Sequence, residues 1–232
     1  MISDDFEKFW DRKALERKGL DNLVWFIPTK KYLFSKIDFK NKTILDLGCG
    51  DSIIPMDFID RSSRYIGIDI SSEMLKKARI NMPFGIFHKR ECNNLDYIED
   101  NSIDLILSFG FLQYVKDLHK IINEINKKLK PNGLSILREP LEKGQVIEGE
   151  YKISFNNLKN LLENSGLKIT RKFYQNCVLT NKFFSVLKII KMKDFFYESR
   201  MLMEIKTVFD KTISSAPIFK TKDVFLICKK VF

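Results

Sequence analysis

Two glycines, Gly48 and Gly50, stand on either side of Cys49 directly after the short run Thr43-Ile44-Leu45-Asp46-Leu47, and Asp51 follows them. Glycine lets backbone approach a ligand where a Cβ would collide, and a helix opening behind such a loop offers free N–H groups. A second short run, Tyr65-Ile66-Gly67-Ile68, ends in Asp69, placed 19 residues after Gly50. A carboxylate at that point can accept from both hydroxyls of a ribose. The order strand, Gly-x-Gly, helix, strand, acid therefore predicts a nucleoside site. A pyrophosphate-binding loop needs Gly-x-Gly-x-x-Gly, whereas position 53 here is Ile53. Asp46 and Asp51 are poor neighbours for a pyrophosphate and good ones for a cationic ligand.

These residues need a scaffold, and the chain spells one out as short apolar runs alternating with helical stretches from Lys42 onward. Strands are predicted at 43–47, 65–69, 84–88, 103–108 and 134–137. Helices are predicted at 53–59, from a Ser71 cap to Asn81, and at 116–130, where Ile121, Ile122, Ile125 and Leu129 share a face. Pro83 closes the second of these, and Pro131-Asn132-Gly133 turns into the fifth strand. Five such units in about 95 residues predict a doubly wound α/β sheet. Ser154 then caps a helix ending near Gly166, with strands at 167–174 and 223–230. Ahead of the core, Ser3 to Lys18 reads as an amphipathic helix with Phe6, Phe9 and Trp10 on one side, and Pro28 opens a second to about Ile37. The division expected is a helical cap at 1–41, a core at 42–174, an inserted segment at 175–221 and a final strand at 222–232.

With these elements in place, Ile44-Leu45-Asp46-Leu47-Gly48-Cys49-Gly50 resembles the first motif of the class I S-adenosylmethionine-dependent methyltransferases. The resemblance covers about residues 40–175. It continues through Tyr65 to Ser71, Asn101-Ser102-Ile103-Asp104-Leu105-Ile106 and Leu129-Lys130-Pro131-Asn132-Gly133. It implies a Rossmann-like seven-stranded sheet, mostly parallel with the last strand antiparallel, with helices on both faces, an N-terminal helical extension and an inserted helical lid. S-adenosylmethionine is the implied cofactor and S-adenosylhomocysteine the product. Gly48, Cys49 and Gly50 would line its methionine part, and Asp46 would anchor the loop and meet the amino group through water. Asp69 would take the ribose hydroxyls and Ile70 lie against the adenine, with Glu91 facing the adenine amino group and Cys92 offering its backbone N–H. Phe109 would border the sulfonium pocket. Ser52 stands where the family usually has a third glycine and Asn132 where the later turn has one; both residue types are small or tolerate left-handed backbone.

Methyl transfer from a sulfonium is an in-line displacement on an activated electrophile, so positioning and exclusion of water dominate and a base is optional. Segment 109–114 falls at the carboxyl edge of the sheet, where such folds bind ligands. Tyr114 and Glu139 are the candidate catalytic residues; Gln113, Tyr114 and Trp25 are candidate substrate-pocket residues. Trp10, Phe26 and Tyr32 could add to an aromatic acceptor pocket or to the core.

Composition sets bounds on partners. The 232 residues carry a net charge of +10, yet residues 46–150 hold 14 Lys/Arg against 17 Asp/Glu and residues 151–232 hold 16 against 6. Bulk positive charge thus does not recruit the ligand of the middle segment. Four cysteines lie far apart without a Cys-x-x-Cys pair, which suggests neither a disulfide framework nor a metal site. No apolar run is long enough to span a bilayer and the first ten residues are acidic, so a cytoplasmic protein is expected. Residues 182–196 place Lys182, Lys188 and Lys191 beside a broad apolar face. This reads as a lid, or as peripheral lipid contact, ahead of an RNA-binding face. A small-molecule N or O acceptor leads, followed by an RNA, protein or lipid acceptor using the basic last third. A non-catalytic cofactor-binding partner subunit is the third reading.

Overall fold

The computed structural model describes residues 4–16, 34, 37–140, 151, 153–175 and 223–231. The expected segment 175–221, the basic stripe at 182–196, the helix predicted from Pro28 to about Ile37, and Trp25, Phe26 and Tyr32 lie outside the described residues, Gln175, Phe34 and Ile37 excepted.

Seven strands form one sheet: β1 (Thr43–Leu47), β2 (Arg64–Asp69), β3 (Ile86–Lys89), β4 (Ile103–Phe109), β5 (Leu129–Pro140), β6 (Leu167–Gln175) and β7 (Asp223–Lys230). Their order is β3-β2-β1-β4-β5-β7-β6. Strands β1 to β5 pair in parallel, and β7 runs antiparallel between β5 and β6. The parallel strands are buried on both faces and accordingly read as continuous apolar runs. Alternate residues serve opposite faces: along β7, Val224, Leu226 and Cys228 join one core cluster while Phe225 and Ile227 join the other.

Helices cover both faces. The first, α1 (Asp4–Glu16), packs on α2 (Ser72–Asn81), which begins as predicted with Ser71 accepting the Met74 N–H at 3.1 Å. Helices α3 (Leu118–Lys128) and α4 (Phe155–Asn164) bury Ile121, Ile122, Ile125, Leu158 and Leu162 in the cluster under one face.

Two elements depart from the sequence reading. The helix expected at 53–59 is a single 3-10 turn, Pro55–Asp57. Pro55, inside the expected span, has no N–H to donate to a preceding turn and stands at the start of the one that forms. The fifth strand starts five residues earlier than expected. Ile103 pairs with Leu129 and Leu105 with Leu134, so Pro131-Asn132-Gly133 is a bulge inside the strand rather than a turn before it. Asn132 takes the left-handed conformation there, at φ +65. A Cβ on Gly133 would stand 2.9 Å from the Lys130 carbonyl, so the glycine is required by space.

Strand order reverses between β1 and β4, and a crevice outside their carboxyl ends is the ligand position in open sheets of this kind. The loops that follow β1 and β4 meet there.

Candidate active site

The cavity at this point is walled by three groups of residues. Asp46, Gly48, Cys49, Gly50, Asp51, Ile54 and Pro55 come from β1 and its loop. Asp69, Ile70, Met74 and Cys92 come from the ends of β2 and β3 and the start of α2. Phe109, Gly110, Phe111 and Tyr114 follow β4, and Phe6 and Trp10 descend from α1. Counting the solvent in its open mouth, it takes in about 960 Å³.

The glycine loop takes a rare path. Gly48, Gly50 and Ser52 alternate in left-handed backbone at φ +65, +52 and +53. A Cβ on Gly48 would stand 3.0 Å from the Cβ of Phe111, so this glycine lets the two loops close on each other. The Asp69 carboxylate accepts the Gly50 N–H and the Ser71 N–H, each at 2.9 Å, tying the loop to the end of β2. Burial raises its pKa, while these N–H groups oppose the rise. A carboxylate has about four acceptor positions, so Asp69 keeps capacity for hydroxyls in the cavity. Because the expected helix is one 3-10 turn, the loop contributes its own backbone N–H groups and no helix N-terminus.

Asp46 is 2 % exposed and accepts from the Tyr65 hydroxyl at 2.6 Å. Burial pushes its carboxyl up to about 7. Burial also raises the Cys49 and Cys92 thiols, with the Asp69 charge adding to it, which leaves them protonated and unreactive.

Opposite the loop, Tyr114 packs 5.4 Å from both Phe6 and Trp10, with the Trp10 ring at 85° to it. Asp11 fixes α1 in place: its Oδ1 accepts from Ser71 Oγ at 2.6 Å and from the Glu73 N–H at 3.1 Å. Glu7 pairs with Lys89 at 2.6 Å, and Lys77 donates to the Ala14 carbonyl.

Of the residues anticipated from sequence, Asp46, Gly48, Cys49, Gly50, Asp69, Ile70, Cys92, Phe109 and Tyr114 come together around the cavity. Three others do not line it. Glu91 points elsewhere and accepts from Asn93 Nδ2 at 2.7 Å. Gln113 turns back to donate to the Gly110 carbonyl at 3.1 Å. Glu139 is fully buried beneath the loop after β4, where it accepts the Leu112 N–H at 3.2 Å, and burial pushes its carboxyl up to about 8. Hydrophobic closure of the loop over β5 carries it inside, so it supports Phe111 and Tyr114 from below. Trp25 lies outside the described residues. Sequence reasoning overlooked Phe6, Met74, Ile54 and Pro55 as lining residues, and Tyr65 and Asp11 as supports. For Phe6 the signal was present in its i, i+4 spacing with Trp10 on an amphipathic helix.

The lining fits the implied cofactor by its chemistry. Among the described lining residues the charged side chains are Asp46, Asp51 and Asp69, with no Lys, Arg or His. Such a set matches a ligand bearing sulfonium and ammonium charges and disfavours a pyrophosphate.

A family model described as a methyltransferase domain matches residues 38–210. The chain belongs to this methyltransferase family. Its mostly parallel sheet, with β7 antiparallel, is the fold of the class I S-adenosylmethionine-dependent methyltransferases. A ubiquinone biosynthesis O-methyltransferase of Neisseria meningitidis serogroup C is 26% identical over 135 residues, covering 55% of each chain. The chain spans about half the length of the curated relatives it matches. Among solved structures it resembles a chain of the complex between the Haloferax volcanii Trm112 methyltransferase activator and a methyltransferase. The TM-score is 0.66 and the identity 18%, with 96% of both chains covered. It also resembles an S-adenosylmethionine-dependent methyltransferase from Mesorhizobium loti, with a TM-score of 0.64 and 16% identity over 91% of this chain and all of that one. No helix among the described residues is long and apolar enough to cross a membrane.

Proposed function

We propose that this methyltransferase acts on N or O of a small-molecule acceptor that enters against Phe6, Trp10, Phe111 and Tyr114. The observation that carries the reading is the two-sided cavity: an acidic glycine loop with Asp69 on one wall and an aromatic wall facing it. Bound S-adenosylmethionine supplies an activated methyl group. Asp69 accepts the ribose hydroxyls, Ile70 and Met74 cover the base, and Gly48 to Asp51 hold the methionine part. Cys92 borders the base as an apolar, protonated thiol, and Glu91 reaches it only if the loop after β3 rearranges.

Tyr114 orients the acceptor, and the ring cluster keeps water from the reacting atoms. Neither histidine of the chain lines the cavity, so an amine delivered neutral or an already acidic hydroxyl suits the site best. The small-molecule reading draws support from the ubiquinone O-methyltransferase relative.

Calorimetric titration with S-adenosylmethionine, S-adenosylhomocysteine and NAD tests the cofactor side; binding of the first two and not NAD is expected. Incubation with radiolabelled S-adenosylmethionine then screens amines and phenols, with RNA at low and high salt as the contrasting arm. Labelling of RNA that falls steeply with salt, with none of small molecules, would replace the acceptor class proposed here.

A further inference from the structure

Asp46, Tyr65 and Ser52 form a buried chain of polar groups at the cavity floor. Asp46 Oδ2 receives the Tyr65 hydroxyl at 2.6 Å, and Ser52 Oγ lies 3.0 Å from the same hydroxyl oxygen. All three residues are at most 2 % exposed, and Asp46 alone of the three borders the cavity. A phenol has one proton; once it is given to the Asp46 carboxylate, the phenol oxygen must accept from Ser52. With Asp46 ionised the chain therefore runs from Ser52 to Tyr65 to Asp46, and ends on the carboxylate that faces the cavity. Ser52 makes this bond while held at φ +53, a backbone region that glycine occupies more cheaply. Its hydroxyl makes a bond to Tyr65 that a glycine there could not make.

We propose that Ser52 and Tyr65 are positioning residues that hold Asp46 as a fixed, ionised carboxylate for the ammonium group of the cofactor. This rests on the cofactor assignment above. The groups facing Asp46 are Tyr65 and Asp69 from β2, Cys49 and Asp51 from its own loop, and Cys92 beyond β3. No described lining residue is a cation, so the Tyr65 hydroxyl is the principal group favouring the charged form, against burial and the Asp69 charge. Affinity for a ligand carrying an ammonium group then rises with pH as Asp46 ionises, and losing Tyr65 moves that rise to higher pH.

The test titrates S-adenosylmethionine, S-adenosylhomocysteine and 5′-methylthioadenosine, which lacks the ammonium, into wild type, Tyr65→Phe and Ser52→Ala between about pH 6 and 8.5. The carboxyl carbon-13 signal of Asp46 is followed in parallel without any ligand. Wild type should bind the first two about tenfold more tightly at the upper pH, with a midpoint near 7, while methylthioadenosine shows no pH dependence. Tyr65→Phe should raise the midpoint by about one unit, a tenfold effect on the proton equilibrium, and Ser52→Ala by less. An unchanged midpoint in Tyr65→Phe, or equal weakening of all three ligands at every pH, would overturn the proposal. If Tyr65→Phe does not fold, Ser52→Ala decides: a raised midpoint supports the relay and an unchanged one refutes it. Should no nucleoside bind while the carbon-13 midpoint still moves, the cofactor assignment fails and the charge-setting role of the relay stands.

Discussion

Asp69 holds the backbone of its own loop and is proposed to hold the ligand's ribose, and its substitution tests both. Asp69→Ala removes acceptors for the Gly50 and Ser71 N–H groups as well as for the ribose. Cofactor affinity should fall by about 1.5–3 kcal/mol, the range for hydrogen bonds to a charged group, in a protein that still unfolds cooperatively; calorimetry with a parallel melt reads both. Gly48→Ala acts by strain, since φ is +65 and the new Cβ meets Phe111 at 3.0 Å. A loss of about 1–2 kcal/mol in stability and a larger loss in binding are expected, measured by urea unfolding and titration. Glu139 tests the sign of a buried carboxyl. Its folded pKa of about 8 exceeds the ordinary 4.5, so between those values the native state holds more protons than the unfolded one. Stability contributed by this group is present below about 4.5 and lost as pH rises toward 8. Glu139→Gln keeps the shape of the protonated form, so unfolding free energy at pH 8 should rise relative to that at pH 5 by at least about 1 kcal/mol. An unaltered difference would mean that Glu139 is ionised throughout.

At the scale of elements, the position of α1 is the decisive feature. Its amphipathic face was legible from Phe6, Phe9 and Trp10, but the surface that face covers depends on Asp11 reaching the first turn of α2 and on Glu7 reaching Lys89. Asp11 acts as a second cap on α2, and a cap is worth about 0.5–2 kcal/mol. In a Trp25→Phe background, leaving Trp10 as the only indole, Asp11→Ala should shift fluorescence to the red and increase quenching by iodide as α1 lifts from Tyr114. Unchanged emission would show that the ring contacts alone hold α1. The 3-10 turn at 55–57 has the opposite lesson. A helix was written in its apolar spacing and cut to one turn that opens at Pro55, a missing backbone donor that periodicity does not register.

At the scale of the whole molecule, β7 links the most distant parts of the chain, lying between β5 and β6 with Phe225 buried in one cluster and Leu226 in the other. Phe225→Ala should cost about 3–5 kcal/mol in chemical unfolding, with β5 and β6 losing amide protection together. The succession of strands, the Ser71 and Ser154 caps, the glycine loop and Asp69 were determined by the sequence alone, because each is a local matter of propensity, capping or backbone freedom. So was the acidic character of the site, which follows from Asp46, Asp51 and Asp69 lying on neighbouring loops. The tertiary structure alone decided which polar residues face ligand. Gln113, Glu91 and Glu139 sit within a few residues of the cavity in sequence, and each turns to satisfy a nearby backbone or side-chain group instead. It likewise decided that Tyr65, 19 residues from Asp46, would supply the proton that faces it. Such pairings are fixed by the parallel register of β1 on β2 and by the cost of burying an unpaired polar group, and neither is written in the spacing of residues along the chain.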